Sequence, residues 1–495
     1  YLHKGIIEAF SIQLPEIKGR DLYDYLPNLK GSYPIVEAFV DSLLWRKGET
    51  IGEGLKPYIN EHVFSYEGTY NIFWETIISV TANPDHYFNA EFLHNNLMQD
   101  SLAERDNHWT VLLSNKFSDE SAVKQLIDWA WSSIDKSHIS DSSIKLSAIT
   151  LSWFHTSTNR TLRDSSTKAL ICLLENRIDV LIELIEMFKE VNDPFVYERL
   201  FAVAYGCSVR TKQKDKLVNL SEFVFKTIFN DPSCVTPHIL LRDYARGVIE
   251  YTAYYGYQLG FDIAETLPPF QSVWPDKILS REELEEKYDN DEYRHLWSSI
   301  MSHGDFARYT IGTNHHNSDW SGCKRGVIPT DRKKVVNDFK EGLSEQKLAL
   351  FDALNPIKID ESKEVSLRDR LLGLNQERKS ELELKVAKES FIGSLSKEEL
   401  SIYETEVEPY LDYNHNVMNT DDSFDLKVAQ RVIMSRVIEL GWSSELHYDF
   451  DKKIGTGRGR TSGHQERIGK KYQWIAYYEY LALLSDNFPR VEKYG

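Results

Sequence analysis

Three similar stretches of sequence decide the fold of this chain: LRDSSTKALICLL at residues 162–174, YERLFAVAYGCSV at 197–209 and LRDYARGVIEYTA at 241–253. Each places a charged residue or pair at the head of a helix-like segment rich in small residues. Arg163 and Arg199 are 36 residues apart, and Arg199 and Arg242 are 43 residues apart. A period of about 35 to 45 residues is typical of an α-solenoid of the HEAT type, in which each helix pair stacks on its neighbours. The alternative is a non-repetitive helical domain whose helices happen to be similar.

The rest of the first half also predicts helices. Apolar residues recur at three- and four-residue steps in PIVEAFVDSLLW, TYNIFWETIISV, AVKQLIDWAW and IKLSAITLSWF. We expect helix N-caps at Ser118, Ser140 and Asn192, because a polar side chain there satisfies the free amides of a first turn. The predicted class is therefore all-α, with a HEAT/TPR-like repeat solenoid and a smaller C-terminal helical subdomain.

The sequence changes character after Gly260. ETLPPFQSVWPDKI carries prolines that disfavour helix, and the charged pattern of SLRDRLLGLNQERKSELELKVAKESF favours one or two long exposed helices. We predict four segments: a HEAT-like α-solenoid over 1–260, a proline-containing irregular connector over 261–330, a charged helical segment over 331–410, and a C-terminal helical subdomain with a basic glycine-rich loop over 411–495.

Composition restricts the classes of function. The chain has 495 residues, 41% of them hydrophobic, and a net charge of −18 from 76 acids against 58 bases. Such a charge repels polyphosphate backbones, so we expect no direct nucleic-acid partner. Four scattered cysteines favour a reducing cytoplasm, and no apolar run approaches the roughly 18 residues of a membrane span. Because Tyr1 begins within folded-domain sequence, we expect a piece of a longer polypeptide.

Catalytic motifs are weak. A Walker A loop needs GxxxxGK followed by Ser or Thr, but five residues separate Gly463 from Gly469, and Lys471 stands in the hydroxyl position. Asp276, Glu285 and Lys287 match a PD…ExK spacing, which would make a magnesium-dependent nuclease. However, SREELEEKY has the composition of a solvated helix start. We therefore predict no catalytic residue and no cofactor in this chain, with the nuclease kept as a weaker alternative.

A metal site is also not predicted. His303, Asp305, His315, His316 and Cys323 are possible zinc ligands that cluster in the sequence, but their spacing matches no established zinc pattern. A polar turn is the favoured interpretation of TNHHNSD.

The basic loop in GTGRGRTSGHQERIGKKYQWIAYYEYLALL, residues 455–484, is the candidate partner-binding site. Its candidate contact residues are Arg458, Arg460, Arg467, Lys470 and Lys471. Charge with nearby aromatic rings suits nucleic acid, but an acidic protein surface is the favoured partner. The alternative is a solvated loop followed by a helix that buries its aromatic residues.

Several stretches together resemble one family, among them LIDWAWSSIDKSHISDSSIKLSAITLSWFHTSTNRTLRDSSTKAL, DPFVYERLFAVAYGCSVR, HILLRDYARGVIEYTAYYG, LPPFQSVWPDKI and ERIGKKYQWIAYYEYLALLSDNF. They are similar to the C-terminal region of bacterial antiviral STAND NTPases, the AVAST anti-phage sensors. The resemblance extends over most of residues 20–490, in the same order of segments.

The resemblance implies a helical-repeat sensor in the bacterial cytoplasm. In that family an effector, often a nuclease, and an ATP- and magnesium-dependent STAND module precede the sensor. The sensor binds a phage protein, such as the large terminase subunit or the portal, and binding drives oligomerisation and activates the effector. No ATP-binding residue of the family has a counterpart in this chain. A HEAT-type adaptor for another protein is the alternative function.

Overall fold

The structure is a computed structural model that describes residues 3–302, 304–312, 324–326, 331–359, 376–412, 415–417, 426–455 and 465–489. The chain divides into two compact units: residues 1–317 with 426–487, and residues 318–425 with 488–495. The described residues are helical apart from turns, loops and one antiparallel pair of short strands, Ile357–Ile359 and Gln376–Arg378. The predicted all-α class is confirmed.

The elements are numbered here in chain order. The α-helices are α1 Lys4–Lys18, α2 Leu22–Tyr25, α3 Tyr33–Ser42, α4 Lys56–Tyr58, α5 Glu67–Ile78, α6 Ala90–Leu97, α7 Leu102–Arg105, α8 Val111–Lys116, α9 Ala122–Trp131, α10 Asp141–Trp153, α11 Arg160–Leu174, α12 Ile178–Met187, α13 Pro194–Arg210, α14 Leu217–Ile228, α15 Ile239–Tyr254, α16 Arg281–Tyr288, α17 Arg294–Ile300, α18 Arg332–Gly342, α19 Glu345–Asp352, α20 Glu381–Ser394, α21 Lys397–Ile402, α22 Leu426–Glu439, α23 Ser444–Gly455 and α24 Ile468–Asn487. Short 3-10 turns cover Pro27–Leu29, Gly48–Thr50, Glu53–Leu55, Phe154–Thr156, Lys214–Lys216, Ile263–Thr266 and Glu408–Tyr410, and π-helical turns cover Ile59–Val63, Asp106–Thr110, Phe306–Gly312 and Tyr403–Val407.

Polar side chains start the helices of the first unit. Backbone amides of a first turn donate to the side chains of Ser121, Ser140, Asn159, Asp193 and His238. The predicted cap at Ser140 is confirmed. The caps predicted at Ser118 and Asn192 are wrong, because Ser118 lies in the turn before the helix, and the side chain of Asn192 instead bonds Arg105 and the carbonyl of Asp100.

The first unit contains two rows of helices. In one row α1, α3, α5, α9, α11, α13 and α15 each contact the next, and in the other α6, α10, α12 and α14 do so. Each of α10, α12 and α14 also packs on the helix that follows it in the chain. The two rows enclose one continuous apolar core that extends from Ile7 to Phe270.

Contacts between neighbouring helices of the first row recur at a nearly constant sequence separation. Arg199 bonds Asp164 at 3.1 Å across 35 residues, and the Cys207 thiol lies 3.8 Å from the carbonyl oxygen of Ile171 across 36 residues. The Tyr251 hydroxyl bonds the carbonyl of Val209 across 42 residues. These separations agree with the spacings of 36 and 43 residues between the quoted sequence stretches.

Two glycines permit the closest approach within this row. A Cβ atom on Gly206 would lie 2.4 Å from Cδ1 of Ile171, and one on Gly247 would lie 3.0 Å from the ring of Tyr205. Since atoms cannot come that close without shifting, a larger residue at either position would displace the side chain of Ile171 or Tyr205.

The second unit has its own small core within its described residues. Helices α18, α19 and α20 and the π-helical turn Tyr403–Val407 contribute most of its residues, which are Val336, Phe339, Phe351, Leu354, Phe391, Tyr403 and Val407. The stretch expected to form one or two long exposed helices lies partly outside the described residues. Its described part contains the strand Gln376–Arg378 and α20, a largely exposed helix of 14 residues.

The grouping into units also differs from the four predicted segments. Helices α22 to α24 come from the region expected to form a separate C-terminal subdomain, yet they belong to the first unit. The last of them, α24, packs against α15 and carries polar groups that are buried there. Within the described residues, no helix is both long and apolar enough to cross a membrane.

Candidate functional site

The C-terminal helix α24 and the residues just before it cross the N-terminal ends of three successive helices of the first row. One contact is made at the N-cap residue of each helix: Gln465 forms a backbone bridge with Asn159, Lys471 pairs with Asp193, and the Tyr478 ring lies 5.5 Å from the His238 ring. Seven residues of helix, from Lys471 to Tyr478, span about 10 Å. This matches the usual distance of about 8–10 Å between packed helices.

Lys471 occupies the centre of this crossing. Its Nζ atom lies 2.8 Å from Oδ1 of Asp106 and 2.7 Å from Oδ2 of Asp193, and all three side chains are almost completely buried. Asp106 also accepts a hydrogen bond from Thr110 at 2.7 Å, and Asp193 accepts one from the Phe195 amide at 3.0 Å. One ammonium thus holds two carboxylates that come from different parts of the chain.

The start of α24 is capped by a residue of another helix. Asp451 of α23 accepts hydrogen bonds from the amides of Ile468 and Gly469 at 2.6 and 2.9 Å, and from the Trp442 indole at 3.1 Å. Burial raises the pKa of the Asp451 carboxyl to about 6, although these hydrogen bonds act in the opposite direction. The amides that begin the helix are therefore already occupied.

The other end of α24 is fixed by a second buried ion pair. Asp486 binds the Arg242 guanidinium through both carboxylate oxygens, at 3.1 and 3.0 Å, and accepts the Phe270 amide at 3.0 Å. Arg242 belongs to the LRD stretch that heads α15. The charged residue at the head of α15 is thus a contact for the C-terminal helix.

A further charged group lies buried at the head of α13. The Glu198 side chain is only 4% exposed. Its Oε2 atom lies 3.8 Å from Nε of Arg199. Burial raises the pKa of Glu198 to about 7, although Arg199 and Arg163 lower it. Near neutral pH this carboxyl is therefore poised between its two charge states.

The five candidate partner-binding residues have different environments. Arg458 and Arg460 lie outside the described residues. Arg467 and Lys470 are half-buried beside a cavity, where Lys470 pairs with Glu466 at 2.8 Å. The prediction that Lys471 contacts a partner is wrong. Lys471 lies on the inward face of α24, where it is buried in the charge cluster described above and does not reach the surface.

The aromatic residues that follow were expected to face inward. Tyr472, Tyr477 and Tyr480 are buried, which confirms that expectation, and Trp474 is half-buried against Phe306 at a ring distance of 5.2 Å.

Exposed aromatic and apolar side chains lie in the C-terminal parts of three helices of the first row, α9, α13 and α15, or directly after them. They belong to Trp131, Tyr205, Val209, Tyr254 and Tyr255, which are between 39% and 85% exposed. Lys168 lies over the Trp131 ring at 5.1 Å, and Lys214 lies over the Tyr255 ring at 4.7 Å. We call these five residues the aromatic band. Sequence periodicity did not identify it, because the same residues fit a buried helix face equally well.

The weaker enzymatic motifs occupy ordinary positions. Glu285 and Lys287 lie in α16, which Ser280 and Glu283 start with reciprocal capping bonds, and Glu285 pairs with Arg281 at 2.6 Å. Asp276 precedes that helix in a non-helical stretch. The interpretation of this segment as a solvated helix start is confirmed.

The possible zinc ligands can be followed only in part. Asp305 is described, whereas His303, His315, His316 and Cys323 lie outside the described residues. In the part of the chain that the structure describes, no three His, Cys, Asp or Glu side chains are grouped as metal ligands would be.

Comparison of this chain with protein-family models, with curated proteins and with solved structures finds no match.

Proposed function

We propose that this chain is a protein-recognition domain built on a helical-repeat solenoid of the HEAT/TPR type. The observation that carries the proposal is the aromatic band, which exposes large rings along a row of stacked helices. Tyrosine and tryptophan supply much of the binding energy at protein interfaces, since they bury large areas with few rotatable bonds. A solenoid presents such rings on one extended surface.

The contact pattern supports the repeat. Hydrogen bonds between neighbouring helices of the first row join residues 35 to 42 positions apart. Each helix of the second row from α10 onward packs on the helix that follows it, so the chain alternates between the rows. Nearest-neighbour stacking is typical of solenoids and supports the proposal.

We further propose that the domain is the sensor of a bacterial, cytoplasmic anti-phage STAND NTPase. The resemblance noted in the sequence supports this function, and its last segment, ERIGKKYQWIAYYEYLALLSDNF, forms the helix that crosses the repeat. The partner is then a phage protein, the large terminase subunit or the portal. Binding to it would promote self-association of a longer parent protein, whose ATP- and magnesium-dependent module would activate an effector.

A binding experiment with matched variants tests the proposal. Purified chain is immobilised, and recombinant large terminase or portal protein is passed over it in a biosensor. Tyr205→Ser and Tyr254→Ser should each weaken binding, and a residue at the centre of the contact should account for about 2 kcal/mol or roughly 30-fold. Tyr66→Ser is the control, because Tyr66 is 64% exposed and lies outside the band.

Each outcome separates the parts of the proposal. Binding that only the band variants weaken supports both the partner and the surface. Binding that all three variants leave unchanged would refute the surface. Absence of binding to both phage proteins would refute the sensor function. Capture of a host protein through the same band would then favour the adaptor function.

A further inference from the structure

A cavity of about 370 Å³ lies beside the first turn of α24 and is not used by the proposed function. Arg467, Lys470 and Trp474 line one side of it, and His295 and Ser298 of α17 line another. Lys470 and Trp474 are four residues apart on α24, and His295 and Ser298 are three apart on α17, so each pair shares one helix face. The cavity is therefore bounded by two regular elements.

Several cationic side chains lie near this cavity. Burial and then the charges of Arg467, Arg294 and Lys452 lower the pKa of His295, which shows that several cations act on one point. Asp305 also lines the cavity, and Glu466 pairs with Lys470 at 2.8 Å. That pair is half-exposed, so an incoming anion can displace Glu466 at little cost.

We infer that this cavity binds the phosphate group of a small phosphorylated ligand of about nucleoside monophosphate size. Arginine carries a planar fork of donors that matches phosphate oxygens, although Nη1 of Arg467 already donates to the His295 carbonyl at 3.2 Å, and lysine adds a compact charge. Ser298 adds a hydroxyl group to the same lining. The amides that begin α24 take no part, since Asp451 already accepts from them.

The size of the cavity indicates more than a bare phosphate. Its volume lies at the lower end of the range of about 300–1,000 Å³ for small-molecule sites. Trp474 and Tyr309 line it as well, and their rings can contact an aromatic base. A ligand that carries a ring and one phosphate therefore uses both the cations and the aromatic side chains.

Isothermal titration calorimetry with three probes tests the inference. AMP and inorganic phosphate are expected to bind the full chain saturably, AMP more tightly, and adenosine much more weakly than AMP. Arg467→Gln and Lys470→Gln should each weaken AMP binding about 10- to 100-fold, the usual loss for one charge-assisted hydrogen bond. Lys212→Gln is the control, because it removes the same charge from an exposed side chain away from this cavity.

Circular dichroism shows whether each variant retains its fold. If one of the two cavity variants does not fold, the other still tests the inference. Phosphate binding without preference for AMP supports the anion site and identifies free phosphate as the ligand. Adenosine that binds as tightly as AMP would overturn the inference. So would no saturable binding of AMP or phosphate at millimolar concentration, or an equal loss in Lys212→Gln.

Discussion

Replacement of Lys471 by methionine should destabilise the first unit more than any exposed charge change in α24. Methionine keeps most of the side-chain volume but removes the ammonium that lies 2.8 Å from Asp106 and 2.7 Å from Asp193. At an effective dielectric constant of about 20, each contact contributes about 6 kcal/mol of attraction. The loss of solvation for three ions opposes that attraction.

The net cost follows from what remains after the substitution. Two buried carboxylates would be left without their cation, and removal of one partner from a buried ion pair costs about 3–5 kcal/mol. Urea denaturation followed by circular dichroism measures the free energy of unfolding, and hydrogen exchange of the α24 amides locates the loss. Asp193→Asn added to Lys471→Met should recover part of it, since asparagine still caps α13 and carries no charge.

The neighbouring lysine provides the control. Lys470 has the same side chain on the same turn, but its partner Glu466 is half-exposed, so Lys470→Met should cost less than about 1 kcal/mol. If the two methionine variants have the same stability, the argument for a buried charge cluster is refuted. Purely additive effects of Lys471→Met and Asp193→Asn would refute the coupling between these residues.

Three further results are expected. Burial raises the pKa of Glu198 from its ordinary value of 4.5 to about 7 in the folded state. Between these pH values the folded state binds more protons than the unfolded state, so stability falls as the pH rises through them. Glu198→Gln should abolish this fall of about 3 kcal/mol in a pH series of urea titrations. Asp451→Asn should likewise remove a smaller fall between about pH 4 and 6, and an unchanged pH profile would contradict either assignment. Gly206→Ala should lower the free energy of unfolding by about 1–3 kcal/mol, because the new Cβ would meet Ile171. Gly68→Ala, with no atom within 4 Å of the new Cβ, should raise it by up to about 1 kcal/mol. Equal shifts in the melting temperatures of the two variants would contradict the difference in packing.

The all-α class and the spacing of the quoted stretches were predictable because they depend on local signals. Helical periodicity and polar caps act within a few residues, and the similar heads of α11, α13 and α15 recur in the sequence itself. The cap at Ser140 was found in this way. The caps near Ser118 and Asn192 were misplaced, because several adjacent polar residues can begin a helix and only their surroundings select one.

The role of the C-terminal helix could not be predicted in the same way. Lys471 meets Asp106 across 365 residues and Asp193 across 278, and Arg242 meets Asp486 across 244. No local pattern records a partner so far away. The basic composition of this region therefore suggested a surface site for all its cations, although one of them is part of the interior.

The difference between the two adjacent lysines shows what decides such cases. Consecutive helix residues point about 100° apart, so a helix that lies on a surface directs one lysine inward and the next one outward. An inward lysine is tolerated only where carboxylates can pair with its charge. The N-cap of α13 supplies one, because Asp193 already accepts a hydrogen bond from a helix amide there. The same side chain thus caps the start of α13 and binds the charge of α24. The other two helices that α24 crosses begin at Asn159 and His238, so the Lys471 ion pair forms at the crossing where the cap is an aspartate.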